Sequence, residues 1–439
     1  MFGLFQTRPP LSTFARVDIE LLLRRCVEVI GADVVAKTDV ITDIKQLKLN
    51  TDSPADLIAS AAEQVGRCLK VDTRDIQFLH DDDPEFAFAS TYTDGTIRLH
   101  REVTTDPLRT VVEIANQLAH HFWALQPAPR PLDTHARTTT LMPIAMGLGI
   151  LASNASLQES HWNAAGYSGW SMSRCGYYSA LEIGYALALM ARLRGESSPT
   201  WLSSLRLDTK KTVQAAQRYF AKHESAGGEL LFDASRIPSS DRDATELSNW
   251  LAGSDPTFAM AAAYALAKFD QIPSVAADAA LQLTRSKDSE LVVLVTRLLG
   301  KTPPDDARID PQILKLVAQR NSPIALAALH SASQRGMSML PLKPQIEKRL
   351  SDPALDLIPV VELIRKHARE LSSLSAAVCQ QTAAAIRFKD DEATAALLEC
   401  LSQMVDDPAS EVERHIRSTD TRAVAIERLQ AGNANKMGG

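Results

Sequence analysis

The residues whose types and spacing come nearest to catalytic chemistry lie in EIANQLAHHFW, residues 113–123. A helix that carries H-E-x-x-H places two histidines one turn apart to hold zinc, and its glutamate can activate a zinc-bound water. Here Asn116 and Gln117 stand at the first two positions, and only His120 keeps the pattern. Amide side chains are weak oxygen ligands and cannot act as a general base. The stretch therefore predicts a buried, polar and uncharged patch on a helix.

The flanking sequence predicts a hairpin and a capped helix that position this stretch. In EFAFASTYTDGTIRLHRE, Phe86 and Phe88 begin an alternating strand, and the Asp-Gly pair supplies the positive φ angles that a tight hairpin turn needs. Asp106 is placed to cap the following helix, and Pro107 takes its first position. We expect this helix to run to about Leu125.

Four further helices are predicted around this core, over residues 14–30, 53–69, 138–151 and 210–222, with a fifth over LEIGYALALMARLRG. Gly147 and Gly149 in the third of them would let a neighbouring segment approach closely. The first part of the chain is thus expected to be mostly helical with a small antiparallel sheet.

Three segments, in order, resemble the catalytic core of zincin metallopeptidases: NQLAHHFW, DTHARTTTLMPIAMGLG and GYYSALEIGYALALMARLRG. Some bacterial zincin-like proteins carry H-E-L-A-H, then D-H-E-x-x-T-D-x-x-x-V leading into G-L-G, then G-Y-L-S…G-Y-A-L-A, at similar spacing. The similarity covers roughly residues 1–225. It implies an α+β zincin-like domain over residues 1–235 of a bacterial protein.

The resemblance also implies roles for four positions, namely Asn116 (first zinc ligand), Gln117 (general base), His120 (second ligand) and Thr140 (third ligand). Only His120 keeps a competent side chain, so we expect no catalytic residue, no cofactor and no metal. The alternative is a zinc-dependent metallopeptidase with a noncanonical site. In that case the zinc ligands would be His120, Glu113 and His135.

An aromatic segment, HWNAAGYSGWSMSRCGYY, precedes the last of these helices. We expect a loop whose side chains line a vestigial cleft for a peptide or a partner, formed by Trp162, Tyr167, Trp170, Arg174 and Tyr177. The alternative is that the same side chains only fill the core of the domain.

Composition narrows the class of protein. The net charge of -6, with no basic block, argues against nucleic acid as a partner. The five cysteines are scattered and never form C-x-x-C, which indicates a reducing compartment. We find neither a signal peptide nor an apolar stretch of the ~20 residues that a membrane span needs. We therefore expect a cytoplasmic protein with no membrane contact.

The second half of the chain is rich in alanine and leucine, and helix starts recur at intervals of roughly 30 residues. The predicted starts are Asp255, Asp288, Ser322 and Asp352. They indicate stacked helical hairpins similar to HEAT repeats over residues 240–418, an all-α solenoid, with a plain helical bundle as the alternative. Residues 419–439 are expected to be a partly disordered tail.

Together these features predict a non-catalytic interaction or scaffold protein with protein partners, bound through the repeats or the vestigial cleft. The noncanonical peptidase is the first alternative. A purely helical protein unrelated to zincins is the second, and it predicts that residues 85–100 form no sheet against the helix at 106–125.

Overall fold

The computed structural model describes residues 9–81, 89–126, 135–164, 167–174, 176–238, 243–352 and 355–437. The chain divides into two compact units, Met1–Arg236 (unit 1) and Ile237–Gly439 (unit 2). Both units are mainly helical, and every strand in the described ranges belongs to unit 1. Among the helices that the structure describes, none has the length and apolar character needed to cross a membrane.

Local sequence signals set the ends of the helices in unit 1. These helices are α1 (Thr13–Ile30), α2 (Ala32–Ala36), α3 (Pro54–Leu69), α4 (Pro107–Ala124), α5 (His135–Pro143), α6 (Gly149–Ala155), α7 (Ala180–Leu193) and α8 (Leu207–Ser225). Ser53 caps α3 by accepting a hydrogen bond from the backbone N–H of Asp56 at 3.1 Å. Asp106 caps α4 in the same way, through the N–H of Leu108 at 2.9 Å. The predicted cap at Asp106 is confirmed.

The predicted continuous helix over residues 138–151 is wrong, because a wide turn over Ile144–Leu148 separates α5 from α6. Gly147 has φ +85°, and a Cβ there would lie 2.1 Å from the backbone carbonyl oxygen of Asp39. The Gly147 carbonyl in turn accepts a hydrogen bond from the N–H of Ile41 at 2.9 Å. The close approach of a neighbouring segment that was expected at Gly147 is confirmed. The helix is interrupted at the same place.

The sheet of unit 1 is mixed rather than antiparallel. The central strand β3 (Thr96–His100) pairs with β2 (Ser90–Thr93) in antiparallel fashion and with β1 (Gln77–Asp81) in parallel. The predicted turn is confirmed, with φ +45° at Asp94 and φ +81° at Gly95. The predicted strand start at Phe86 and Phe88 lies outside the described residues.

A second hairpin, β4 (Leu157–Ala164) with β5 (Tyr167–Arg174), stands where a loop was expected. Its side chains lie outside what the structure describes.

Helix α4 lies at the centre of unit 1. It contacts α3, α5 and α6 as well as β2 and β3. Val111, Ile114 and Leu118 on its apolar side are fully buried, as are Ile97 and Leu99 of β3. The purely helical alternative predicted that no sheet packs against this helix, and that prediction is wrong.

Unit 2 consists of short helices that alternate between two rows. They are α9 (Ala244–Ala252), α10 (Pro256–Leu266), α11 (Ser274–Leu283), α12 (Ser289–Leu299), α13 (Ile309–Val317), α14 (Ser322–Gln334), α15 (Lys343–Leu350), α16 (Leu357–Lys366), α17 (Ser375–Phe388), α18 (Asp391–Met404), α19 (Pro408–His415) and α20 (Thr419–Met437). Each odd-numbered helix packs against the next even-numbered one, and successive even-numbered helices, from α10 to α20, pack against each other. We call the even-numbered helices the second row.

Equivalent side chains link neighbouring hairpins. After α12, the Lys301 ammonium donates to the carbonyl of Phe269 at 2.8 Å, in the loop that follows α10. After α14, the Arg335 guanidinium donates to the carbonyl of Pro303 at 3.0 Å, in the loop that follows α12. The same contact is thus repeated one hairpin further along the chain.

One of the predicted starts in unit 2 is wrong. Helix α14 begins at Ser322, as predicted, and Asn321 is its cap. Asp356 caps α16, whereas Asp352 accepts a hydrogen bond from Ser322. Within the predicted tail the structure has the helix α20, which buries Ala425 and Leu429. The caps at Asp255 and Asp288 are confirmed.

Candidate functional site

The candidate site lies on the polar side of α4, where the helix meets β2. Asn116, Gln117 and His120 are half-buried there, and Glu113 is buried. The predicted polar patch is therefore present on the helix. It is not uncharged, because it includes the acidic Glu113, and it is not fully buried, because the other three side chains are half-buried.

A serine from β2 links Glu113 to Gln117. The Ser90 hydroxyl donates to Glu113 Oε2 at 2.6 Å and accepts from Gln117 Nε2 at 2.8 Å. A serine hydroxyl has one hydrogen, so when it is given to Glu113 the amide of Gln117 must present its NH₂ group to Ser90. This leaves Gln117 Oε1 buried and without a hydrogen-bond partner among the described residues.

Two histidines at the end of this face share a tyrosine of β2. Tyr92 Oη lies 2.9 Å from His121 Nδ1, and its ring centroid lies 5.0 Å from that of His120. Burial lowers the pKa of His121, which favours the neutral ring. A neutral His121 can accept the Tyr92 hydroxyl proton at Nδ1, so this contact suits a structural histidine.

Asn116 and Thr140 approach the same backbone position from two helices. A Cβ built on Gly176 would lie 3.7 Å from Thr140 Cγ2 and 4.0 Å from Asn116 Nδ2. Thr140 is buried on α5, and Gly176 has φ +79° in the segment that follows β5. The residues to which the resemblance assigns the first and third zinc ligands are thus both adjacent to Gly176.

Three of the four positions to which the resemblance assigns roles carry side chains that zinc does not prefer as ligands. Zinc prefers imidazole, thiolate or carboxylate, whereas Asn116, Gln117 and Thr140 offer neutral amides and a hydroxyl. Glu113, a ligand in the alternative hypothesis, is bonded to Ser90. The backbone of His135 begins α5, but its side chain lies outside what the structure describes. Among the described residues, no three His, Cys, Asp or Glu side chains gather as a metal site.

The predicted cleft residues divide between β4–β5 and the segment after it. On the backbone Trp162 pairs with Gly169, Trp170 with His161, Tyr167 with Ala164 and Arg174 with Leu157. Their side chains are not described, so the predicted lining stays a prediction. Tyr177 is described and is 45% exposed.

A cation-centred cluster lies beside the site, on α5 and α1. Arg137 donates to Asp18 at 2.9 Å, and its guanidinium lies 4.9 Å from the ring centroid of Tyr177 and 5.5 Å from that of Phe14. Burial lowers the pKa of Arg137, but hydrogen bonds with Tyr177 and Asp18 outweigh that effect and raise it. The Tyr178 hydroxyl donates to the other oxygen of Asp18 at 2.9 Å.

Neither this cluster nor the role of Ser90 was predicted. Asp18 and Arg137 lie 119 positions apart, and neither belongs to a recognisable motif. Ser90 lies in the predicted strand, but the sequence assigned it no contact. It pairs with Leu99 and contacts Glu113 and Gln117 of α4, a placement that alternation along a strand does not reveal.

The chain matches no protein-family model, no curated protein and no solved structure.

Proposed function

We propose that this chain is a non-catalytic protein-interaction or scaffold protein. In this proposal unit 1 is a degenerate zincin-like domain, and unit 2 is a solenoid of HEAT-like helical hairpins. No part of the proposal requires a metal or a cofactor. The protein partners would bind the repeats, the vestigial cleft or both.

The observation that carries the proposal is the meeting of Asn116 and Thr140 at Gly176. In the zincin assignment these positions hold the first and third ligands, which must converge on one ion. The two helices bring the side chains to one place, as that assignment requires. The side chains that meet there are an amide and a threonine, neither of which is a ligand that zinc prefers.

The hydrogen bonds of Gln117 support the loss of catalysis. A general base at position 117 would have to accept a proton, but the amide found there donates to Ser90 instead. Gln117 thus stabilises the contact between α4 and β2.

Two zinc measurements test the zincin assignment. The wild-type chain, purified without added metal, is expected to contain well under one equivalent of zinc. Asn116→His combined with Thr140→Asp supplies a carboxylate and a second imidazole beside His120, and it leaves Gln117 and Ser90 unchanged. This variant is expected to bind about one zinc ion, because two histidines and a carboxylate are a known ligand set.

The two single variants are the controls, since each lacks one ligand and should bind zinc at least about tenfold more weakly. Zinc near one equivalent in the wild type would support the noncanonical peptidase instead. A folded double variant that binds no zinc would contradict the zincin assignment.

The second row of unit 2 offers a surface for a partner. Burial lowers the pKa of His330 on α14, and the charges of Arg297 and Lys366 lower it further while Glu362 opposes them. Arg297 on α12 and Lys366 on α16 are both exposed, so the second row carries positive charge at its surface. Arrays of stacked hairpins present such rows as extended binding faces.

Affinity capture with the full chain from its native cells tests this surface. Arg297→Glu with Lys366→Glu is expected to release the partners that the wild type retains. The matched control is Arg285→Glu with Lys315→Glu. These exposed residues lie at or just beyond the ends of odd-numbered helices, outside the second row. Equal retention by both variants would show that the second row is not the binding surface.

A further inference from the structure

Two residues after the second hairpin, Gly176 and Tyr177, lie at the edge of the candidate site. The backbone of Gly176 is next to Asn116 and Thr140, and its φ of +79° is one that glycine adopts without strain. Thr140 is only 5% exposed. The segment at Gly176 therefore helps to separate Thr140 from solvent.

Tyr177 is held at the surface and not in the core. Its side chain is 45% exposed, so a little over half of its surface is covered. Its ring stacks on the guanidinium of Arg137 at 4.9 Å, and Arg137 is itself fixed by Asp18 at 2.9 Å. Phe14 covers the guanidinium at 5.5 Å. We call Arg137, Tyr177, Asp18 and Phe14 the clasp.

The next residue, Tyr178, is anchored differently. It is buried, its hydroxyl donates to Asp18 at 2.9 Å, and its ring meets that of Tyr177 edge-on at 5.6 Å. The exposed pair Gly176 and Tyr177 is thus attached to a buried residue. Arg137 lies one helical turn before Thr140 on α5, so the clasp adjoins the position that Gly176 covers.

We propose that Gly176 and Tyr177 form a cover over Asn116 and Thr140 that opens and closes, and that Arg137 holds it closed. The proposal rests on the proposed function, because a binding cleft is what such a cover would regulate. When the stacking on Arg137 is lost, Gly176 and Tyr177 move outward while Tyr178 stays bonded to Asp18. Opening exposes Thr140 without unfolding α1 or α5.

Thiol labelling of the full chain tests this cover. Thr140→Cys places a thiol under Gly176, in a background where Cys68→Ser and Cys175→Ser remove two native thiols. Adding Arg137→Gln removes the cation and its stacking on Tyr177. The reaction of a maleimide at position 140 is then expected to accelerate roughly tenfold, the change that corresponds to losing one charge-assisted, stacked contact.

The native Cys26 is an internal reporter of unfolding. It is fully buried on α1, and its sulfur lies 4.0 Å from the carbonyl oxygen of Thr138 on α5. Faster labelling at position 140 with no change at Cys26 supports the cover. Equal acceleration at both positions means that α1 separates from α5, and it would overturn the proposal.

Arg192→Gln is the matched control, because Arg192 forms ion pairs with Glu224 and Asp233 elsewhere in unit 1. It should leave the labelling rate at position 140 unchanged. Asn116→Cys provides a second reporter on the other side of Gly176 and should respond to Arg137→Gln in the same direction. No acceleration at either position refutes the cover.

Labelling needs neither a partner nor zinc. If the labelling experiment refutes the cover, the zinc and capture measurements still decide the proposed function. If the zinc measurements refute the zincin assignment, the labelling result still stands.

Discussion

Replacing Gln117 with glutamate tests the hydrogen-bond arrangement on which the candidate site depends. Ser90 has one hydrogen, and it is already donated to Glu113. A carboxylate at position 117 would face a lone pair of the same hydroxyl, and the donor that Gln117 supplies at 2.8 Å would be lost. Gln117→Glu is therefore expected to destabilise unit 1, although it changes neither the length nor the shape of the side chain.

The size of the effect follows from the distances. Both side chains contact one hydroxyl, so two carboxylates would lie about 5 Å apart, which corresponds to a repulsion of roughly 3 kcal/mol at an effective dielectric constant of about 20. The lost amide hydrogen bond adds about 1 kcal/mol. Solvent screens part of the repulsion at a half-buried position, so the expected loss is about 2 to 3 kcal/mol at pH 8.

The loss should depend on pH with a defined sign. In the variant, repulsion between the two carboxylates favours the protonated form of one of them and so raises its pKa in the folded state. A carboxyl with a raised folded pKa destabilises the protein as the pH rises above the unfolded value. The difference in stability between variant and wild type should thus be small near the unfolded pKa of about 4.3 and should grow as the pH rises toward 8.

Urea unfolding followed by tryptophan fluorescence measures this difference. Trp250 is the one tryptophan in unit 2, so Trp250→Phe restricts the signal to unit 1. Combining Gln117→Glu with Glu113→Gln exchanges the two roles, since Ser90 can then donate to position 117 and accept from position 113. This double variant should recover most of the lost stability.

Gln214→Glu on α8 is the matched control, because Gln214 is half-buried and should change stability by less than about 0.5 kcal/mol. The reasoning is wrong if Gln117→Glu is as stable as the wild type at pH 8. It is also wrong if the double variant is no better than the single one.

Three further predictions concern stability. Gly147→Ala should lower the free energy of unfolding of unit 1 by about 3 kcal/mol or more, because φ is +85° and a backbone oxygen lies 2.1 Å from the position of the new Cβ. Chemical denaturation measures this loss. Burial raises the pKa of Glu20, and the hydrogen bond that Tyr185 donates at 2.6 Å opposes this. Tyr185→Phe should therefore raise the pKa of Glu20 further. It should lower the free energy of unfolding by about 1 to 3 kcal/mol at pH 8 and by less near pH 5, and measuring stability as a function of pH tests this. Arg335→Ala should lower the free energy of unfolding of unit 2 by about 3 kcal/mol, since its side chain is 2% exposed and its partners would be left unpaired; chemical denaturation measures it. Arg308→Ala, at an exposed ion pair, should leave the same measurement nearly unchanged.

Local chemistry explains which parts of the fold were predictable. The cap at Asp106 and the turn at Asp94 and Gly95 each depend on residues adjacent in sequence, and both predictions are correct. The parallel pairing of β1 with β3 was not predicted, because it joins segments that no local turn connects. The interruption at Gly147 was missed for a similar reason, since it depends on the carbonyl of a distant residue.

The site was predictable only in part. The placement of Gln117 and His120 on one helix face follows from helical spacing, and it was anticipated. The hydrogen bond to Ser90 was not, because alternation along a strand does not reveal which helix residue the strand will face. The cluster around Arg137 likewise depends on how α1 packs against α5.

The single hydrogen of Ser90 also limits how this sequence can evolve. A mutation from glutamine to glutamate at position 117 needs only a minor genetic change, but it produces a chain in which two acids compete for one proton. Such a chain is expected to lose about 2 to 3 kcal/mol of stability unless position 113 or position 90 has already changed. We therefore expect the order of substitutions at these three positions to be constrained, because the amide at Gln117 satisfies the hydroxyl of Ser90.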